Sequence, residues 1–429
     1  MYLNVTSKDK ILNIVYSIII AIFFNLIIKP IWVFGIDISV QNQVGESNYG
    51  LFYAIFSILM IFNIILDFGI SQIFSSEIAI NKQGISKYFK GFIKLKIILF
   101  VFFIVITFFI FYFNNLVGNY TLIFILIFQQ FFFFLILFFR AILSGNQNFK
   151  TDSFFSILDR LIMIIIYIIF NNLLNININI LYFSLIMLAG EVITFLIIFL
   201  FIFFKFDFKN IKFLDIKINK VVKITYWLSI SSLFMALAVR IDSFMIYKLI
   251  PDNGNSAGLY AGVFRIYDFL ISSINIIVVI MIPLFSKFKS NLKQLRIYYV
   301  SIGILIFTCI LILSCVIFFN SNIILETLYH KLNADQSKSL GILVFSLLGI
   351  WIQNIYLSLL IAFKQVKYFM YVSIIGAIFS LVLNYIYIPQ YGFLGSSYIN
   401  LAISTLMAIL LIIIFEFYLV KNEKHLCES

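Results

Sequence analysis

Twelve stretches of this chain are each long and apolar enough to cross a bilayer, and the basic residues between them fall almost entirely on alternate sides. The stretches run over roughly 11–33, 50–70, 92–114, 119–142, 153–174, 178–204, 222–249, 257–286, 297–320, 338–363, 367–388 and 394–420. About 20 apolar residues span the hydrocarbon as a helix. A backbone in lipid has to satisfy its own hydrogen bonds, so each span is expected to be helical. The sequence therefore predicts an all-α polytopic membrane protein, and the composition agrees, at 63% hydrophobic and 11% charged. The connections are short, and the longest, such as 71–91, 205–221 and 321–337, leave no room for a soluble domain. The first span follows Met1–Lys10 without a small-residue cleavage site, so it reads as a retained helix rather than a signal peptide.

With the N-terminus placed in the cytoplasm, 23 of the 30 Lys and Arg lie on that side of the membrane, and Lys29, Lys248, Lys331 and Lys338 lie on the other. This asymmetry predicts that both termini are cytoplasmic. It also accounts for most of the +12 net charge. The lysines sit at membrane edges, where they meet anionic headgroups, so the basic balance calls for no nucleic-acid partner. No Cys/His/Asp set has metal-ligand spacing, and neither a P-loop nor a Ser/His/Asp arrangement stands out, so the chain is not expected to be an enzyme or to hold a metal.

Twelve spans divide as six plus six about the lysine-rich stretch 205–221, giving an N-terminal lobe over 1–210 and a C-terminal lobe over 211–429. Six is even, so both lobes enter the membrane with the same orientation, as parallel repeats about an axis along the membrane normal. A short echo supports the repeat. Gly50-Leu51-Phe52 opens span two and Gly258-Leu259-Tyr260 opens span eight, each just after an outer loop, and Phe56 matches Phe264.

Several motifs carry a resemblance. These are Val44-Gly45-Glu46-Ser47-Asn48-Tyr49-Gly50-Leu51-Phe52, then Leu66-Asp67-Phe68-Gly69-Ile70, and Arg240-Ile241-Asp242 in span seven. Span eight adds Gly258 through Ile266 and Ile282-Pro283-Leu284, and the run Asn384 through Gly395 closes the set. In order and spacing they resemble oligosaccharide flippases of the Wzx type, a polysaccharide-transporter branch of the MATE-like (MOP) superfamily. The resemblance covers essentially the whole chain. One departure is the loop Asn171 to Asn177, which has no counterpart of the Gly-Xaa-Xaa-Gly at 392–395.

The resemblance implies a function: moving polyprenyl-diphosphate-linked oligosaccharide repeat units, such as those of O-antigen, from the inner to the outer leaflet of a bacterial inner membrane by alternating access. It implies coupling to H+ or Na+ with no other cofactor, one chain as the working unit, and polysaccharide polymerase machinery as a partner. A multidrug or cation antiporter of the same superfamily is the alternative. That alternative favours an acidic cavity, whereas Arg240 and Arg265 here offset Asp242 and Asp268.

Ionisable residues inside spans are costly and face the interior, a partner or a pathway. Arg240 and Arg265 fall at matching depth on consecutive spans, roughly 12–14 Å below the outer surface at the helical rise. A guanidinium suits a diphosphate because its planar fork donates two parallel hydrogen bonds and stays charged. Both arginines are thus candidates for substrate contact, with Arg160 in span five as a cytoplasm-side third. Internal pairing is the competing reading: Arg265 with Asp268 at i,i+3, Arg240 with Asp268, or Asp242 with Arg265. A bridge that opens in one state would also gate transport. Asp159 and Arg160 point about 100° apart on a helix and are not expected simply to neutralise each other. Glu191, near the middle of span six without a local basic partner, is a candidate for ion coupling. Asp67 is expected at the inner end of span two, near the interface.

Overall fold

The computed structural model describes residues 27–80, 84–114, 119–205, 218–288, 291–330 and 333–427. Among these residues there are helices and no strands. Nine of the helices are long and apolar enough to cross a membrane. Spans two to seven, nine and ten each match one of them, and spans eleven and twelve are joined within Val366–Leu419. Span eight lies in the helix Asn255–Phe288. Span one lies largely before residue 27, outside the described residues.

The chain forms two compact units. One takes the residues up to Val44 with Phe62–Tyr226; the other takes Gly45–Ile61 with the chain from Trp227 onward. Gly45–Ile61, the first part of span two, thus packs with the C-terminal spans.

In the first unit, phenylalanines fill the core. Phe74, Phe92, Phe138, Phe139 and Phe155 are buried with Ile142, Ile198 and Ile202, and the rings of Phe74 and Phe138 stack 4.9 Å apart. Span two is broken here. The short helix α1 (Ile64–Asp67) ends at Phe68 and Gly69, both left-handed with φ of 45° and 76°, and α2 (Ile70–Ile80) restarts beyond them. Gly69 takes that conformation without a Cβ clash, whereas Phe68 has to be held in it. The Asp67 carboxylate accepts hydrogen bonds from the backbone N–H and hydroxyl of Ser71 and so caps α2. Lys96, from α3 (Gly84–Phe113), reaches the break with its ammonium 2.7 Å from Asp67 Oδ1, 3.3 Å from the Leu66 carbonyl and 3.4 Å from the Phe134 carbonyl. Its three donors meet three acceptors, and a cation sits at the C-terminal end of α1, where the helix dipole favours one. Asp67 is therefore a paired residue at the break in span two, and Lys96 is only 2% exposed.

In the second unit, α4 (Glu46–Phe62) crosses α5 (Asn255–Phe288) at the two echo motifs themselves. A Cβ on Gly50 would lie 2.0 Å from the Gly254 carbonyl oxygen, and one on Gly258 would lie 1.9 Å from that of Glu46. The backbones touch with no side chain between them, the packing that small residues permit in membranes. Ser47 donates a hydrogen bond to the Asn253 carbonyl at the same crossing. α6 (Leu292–Tyr329), α7 (Ala334–Ala362) and α8 (Val366–Cys427) complete the unit, with α7 buried in its middle around the fully buried Trp351. Gly392, at φ 60° and ψ −150°, breaks α8 between spans eleven and twelve, in the Gly-Xaa-Xaa-Gly at 392–395.

Candidate functional site

Among the described residues, the candidate site residues fall into a polar cluster in each unit. In the second unit, α9 (Ile218–Leu249) holds Arg240 and Asp242, and α5 holds Tyr260, Arg265 and Asp268. Arg240 pairs with Asp268 at 2.8 Å and lies over the Phe264 ring at 5.8 Å. Asp268 is 39% exposed and Arg240 18%, so this ion pair borders open space. Arg265 is buried: it donates to the Tyr329 hydroxyl at 3.2 Å and lies over the Tyr49 ring at 4.7 Å. Tyr329 in turn donates to the Gly262 carbonyl. The two arginines are brought to neighbouring turns of one region, but Arg240 is the more open of the two.

Asp242 lies one layer deeper, 1% exposed. Its carboxylate accepts from the Ser243 N–H at 2.6 Å, the Ser243 hydroxyl at 3.2 Å, the Asn400 amide at 2.6 Å and the Tyr260 hydroxyl. A carboxylate offers about four acceptor sites, so these four donors fill it. Asn400 was not singled out by sequence reasoning. Tyr260 lay inside a quoted motif, and Asn400 was a lone amide in an apolar run, a signal of the same kind as a lone carboxylate.

In the first unit, Asp159 and Arg160 stand on α10 (Phe149–Ile168) and Glu191 on α11 (Ile180–Lys205). Asp159 and Arg160 do pair, carboxylate to guanidinium at 3.5 Å, although they are adjacent. The long arginine side chain bends across the 100° that separates their Cα–Cβ directions. Arg160 also covers the Trp32 ring at 5.6 Å and reaches the Met163 sulfur at 3.4 Å. α10 and α11 are in close contact beside Glu191, since a Cβ on Gly190 would touch the Met163 side chain at 2.4 Å and the Asp159 carbonyl at 3.2 Å. Glu191 is fully buried, and one of its oxygens accepts from Gln129 at 3.3 Å. Gln129 accepts from Gln130 at 2.9 Å. The second oxygen of Glu191, the second oxygen of Asp159, the Gln130 carbonyl and the Thr194 hydroxyl are buried with no hydrogen-bond partner. Unsatisfied buried polar atoms cost free energy, and here all four offer a lone pair, so the cluster has the chemistry to take a proton or a small cation. Among the described residues, no three His, Cys, Asp or Glu side chains group as metal ligands.

A family model described as "Polysaccharide biosynthesis protein" matches residues 9–289, more than half of the chain. The chain belongs to the polysaccharide biosynthesis protein family. No curated protein matches it. Its fold is that of MATE-like transporters of the MOP superfamily. An inward-facing structure of a multidrug resistance MATE transporter superimposes with a TM-score of 0.75 at 18% identity, covering 94% of this chain and 99% of that one. A MOP superfamily transporter from Pyrococcus furiosus, reported with a binding pocket of reversed polarity, gives a TM-score of 0.68 at 16% identity, covering 96% and 95%. An outward-facing MATE structure gives 0.65 at 17%, covering 97% of both. This family member is thus a multi-pass membrane protein with a transporter fold, and the structures it resembles are transporters rather than enzymes.

Proposed function

We propose that this protein is a flippase that carries polyprenyl-diphosphate-linked oligosaccharide repeat units to the outer leaflet of a bacterial inner membrane, with both termini in the cytoplasm, for O-antigen or a similar surface polysaccharide. The observation that carries the reading is the combination of a polysaccharide-biosynthesis family match with a MATE-like fold. A glycan pathway that builds its units on a membrane lipid needs a carrier, because a charged diphosphate and a polar sugar do not cross hydrocarbon unaided. Arg240, bordering open space beside Asp268, is the contact for the diphosphate during its passage: an incoming phosphate competes with Asp268 for the guanidinium fork. Arg265 and Asp242 hold the helices that present Arg240, and Arg160 serves the same class of contact in the first unit. Glu191 and Asp159, with their unpaired oxygens, take up the coupling H+ or Na+. The working unit is one chain, operating by alternating access and handing product to polymerase machinery.

The test is lipid-linked glycan analysis in a deletion strain complemented with wild type, Arg240→Ala or Glu191→Gln. The expected result is cytoplasm-facing accumulation of the polyprenyl-diphosphate repeat unit in the deletion strain, relieved by wild type and by neither variant at equal protein level. Unchanged lipid-linked glycan with raised sensitivity to cationic drugs would overturn the reading in favour of a multidrug antiporter.

A further inference from the structure

On the second unit, a cavity of about 240 Å³ opens between α6, α7 and the end of α8. Its lining includes Tyr299, Gly303 and Phe307 on α6 and Trp351 and Tyr356 on α7. Two polar groups of this wall are already used. The Trp351 indole N–H donates to the Gly303 carbonyl at 3.0 Å, and the Tyr299 hydroxyl donates to Glu416 at 2.9 Å. Most of what faces the cavity is ring and aliphatic carbon, with a notch where Gly303 lacks a side chain. α6 is a membrane span whose outer face is bare hydrocarbon, with Ile304 61% and Leu305 64% exposed. The groove therefore opens to lipid.

One end of the groove is charged. Arg296, 64% exposed, lies one turn before Tyr299 and reaches Glu416 at 3.3 Å. Lys293 is exposed a further turn down. Two cations, Arg296 and Lys293, thus stand on α6 within two turns of Tyr299, against one carboxylate. The Arg296–Glu416 contact is solvent-exposed and weak, so a phosphate that takes the guanidinium fork in two parallel hydrogen bonds displaces it readily. From Tyr299 to Phe307 the groove runs about 12 Å along the helix.

We infer that this groove seats the polyprenyl chain of a polyprenyl diphosphate, with its diphosphate on Arg296 and Lys293. The inference rests on the flippase reading above. It assigns the lipid tail a track on the outer face of α6 and α7, separate from the intramembrane arginines. Aromatic walls and the Gly303 notch suit a methyl-branched, unsaturated chain, and the two cations Arg296 and Lys293 suit a diphosphate better than a single phosphodiester.

The experiment uses the full chain in phosphatidylglycerol nanodiscs with a polyprenyl diphosphate carrying a diazirine on its first isoprene units. Cross-links are mapped by peptide mass spectrometry. Labelling is expected on the segments 299–307 and 351–356. It should fall about tenfold in Ile352→Trp, which fills the cavity, and several-fold in Arg296→Gln, which alters no packing. Equal labelling of these segments by a diazirine phosphatidylglycerol, or undiminished labelling in both variants, would overturn the assignment. The deletion-strain assay separates the two claims. Glycan accumulation without groove labelling removes this inference alone, and groove labelling without accumulation removes the flippase reading while leaving a polyprenyl-lipid site.

Discussion

Replacing Lys96 by Met removes the cation that joins the two halves of the broken span. Lys96 and Asp67 are 2% and 13% exposed, and the ammonium touches Asp67, the Leu66 carbonyl and the Phe134 carbonyl. Breaking a buried pair by deleting one partner costs about 3–5 kcal/mol, chiefly because it strands the other charge. Asp67 keeps its donors on Ser71, which places the expected loss near the lower end, about 3 kcal/mol. Adding Asp67→Asn to Lys96→Met removes the stranded charge while leaving an oxygen to cap α2, so the double variant should recover about 2 kcal/mol of that loss. The assay is reversible unfolding of purified protein in mixed micelles titrated with a denaturing detergent, followed by helical circular dichroism. A Lys96→Met variant within about 1 kcal/mol of wild type, or a double variant whose losses simply add, would refute the claim that this pair caps both sides of the break.

Other parts of the molecule make further demands. Gly258→Leu should abolish folded protein, because even its Cβ would overlap the Glu46 backbone; size-exclusion chromatography of the solubilised variant checks this. Asp242→Asn puts an amide donor where four donors already converge and should lower stability by about 1–3 kcal/mol, read as a drop in thermal midpoint in detergent. Arg240→Lys retains the charge and loses the fork, so surface glycan should fall partway, between wild type and Arg240→Ala, at unchanged protein level. Glu191→Gln should leave the protein folded while transport in vesicles no longer responds to an imposed proton or sodium gradient; a retained response would exclude Glu191 from coupling.

Hydropathy alone located the helices of spans two to twelve, since long apolar runs have few alternatives in a bilayer. It did not reveal the break at Phe68 and Gly69, because an average over about 20 residues does not register two left-handed ones. It does not show that Lys96 is buried. A lysine near a span end ordinarily snorkels to the interface, and only the tertiary position of Asp67 shows why this one turns inward. The ion pair of Arg240 with Asp268 was legible as one of several pairings, and choosing among them required the helix positions. Arg265, equal to Arg240 in depth by counting, differs in access because Tyr49 and Tyr329 cover it. The echo at Gly50 and Gly258 was legible as a repeat, but that the two copies meet each other was not, since similarity records common form and says nothing of contact.

That meeting bears on how the chain can be divided. Residues 45–61 precede the C-terminal spans by well over a hundred positions, yet they supply the Tyr49 ring over Arg265 and the backbone against Gly254 and Gly258. A C-terminal half synthesised without them would expose a bare glycine-lined furrow and an arginine stripped of one of its covers. The second half is therefore completed only by a segment already made and inserted, which makes the order of synthesis part of its assembly.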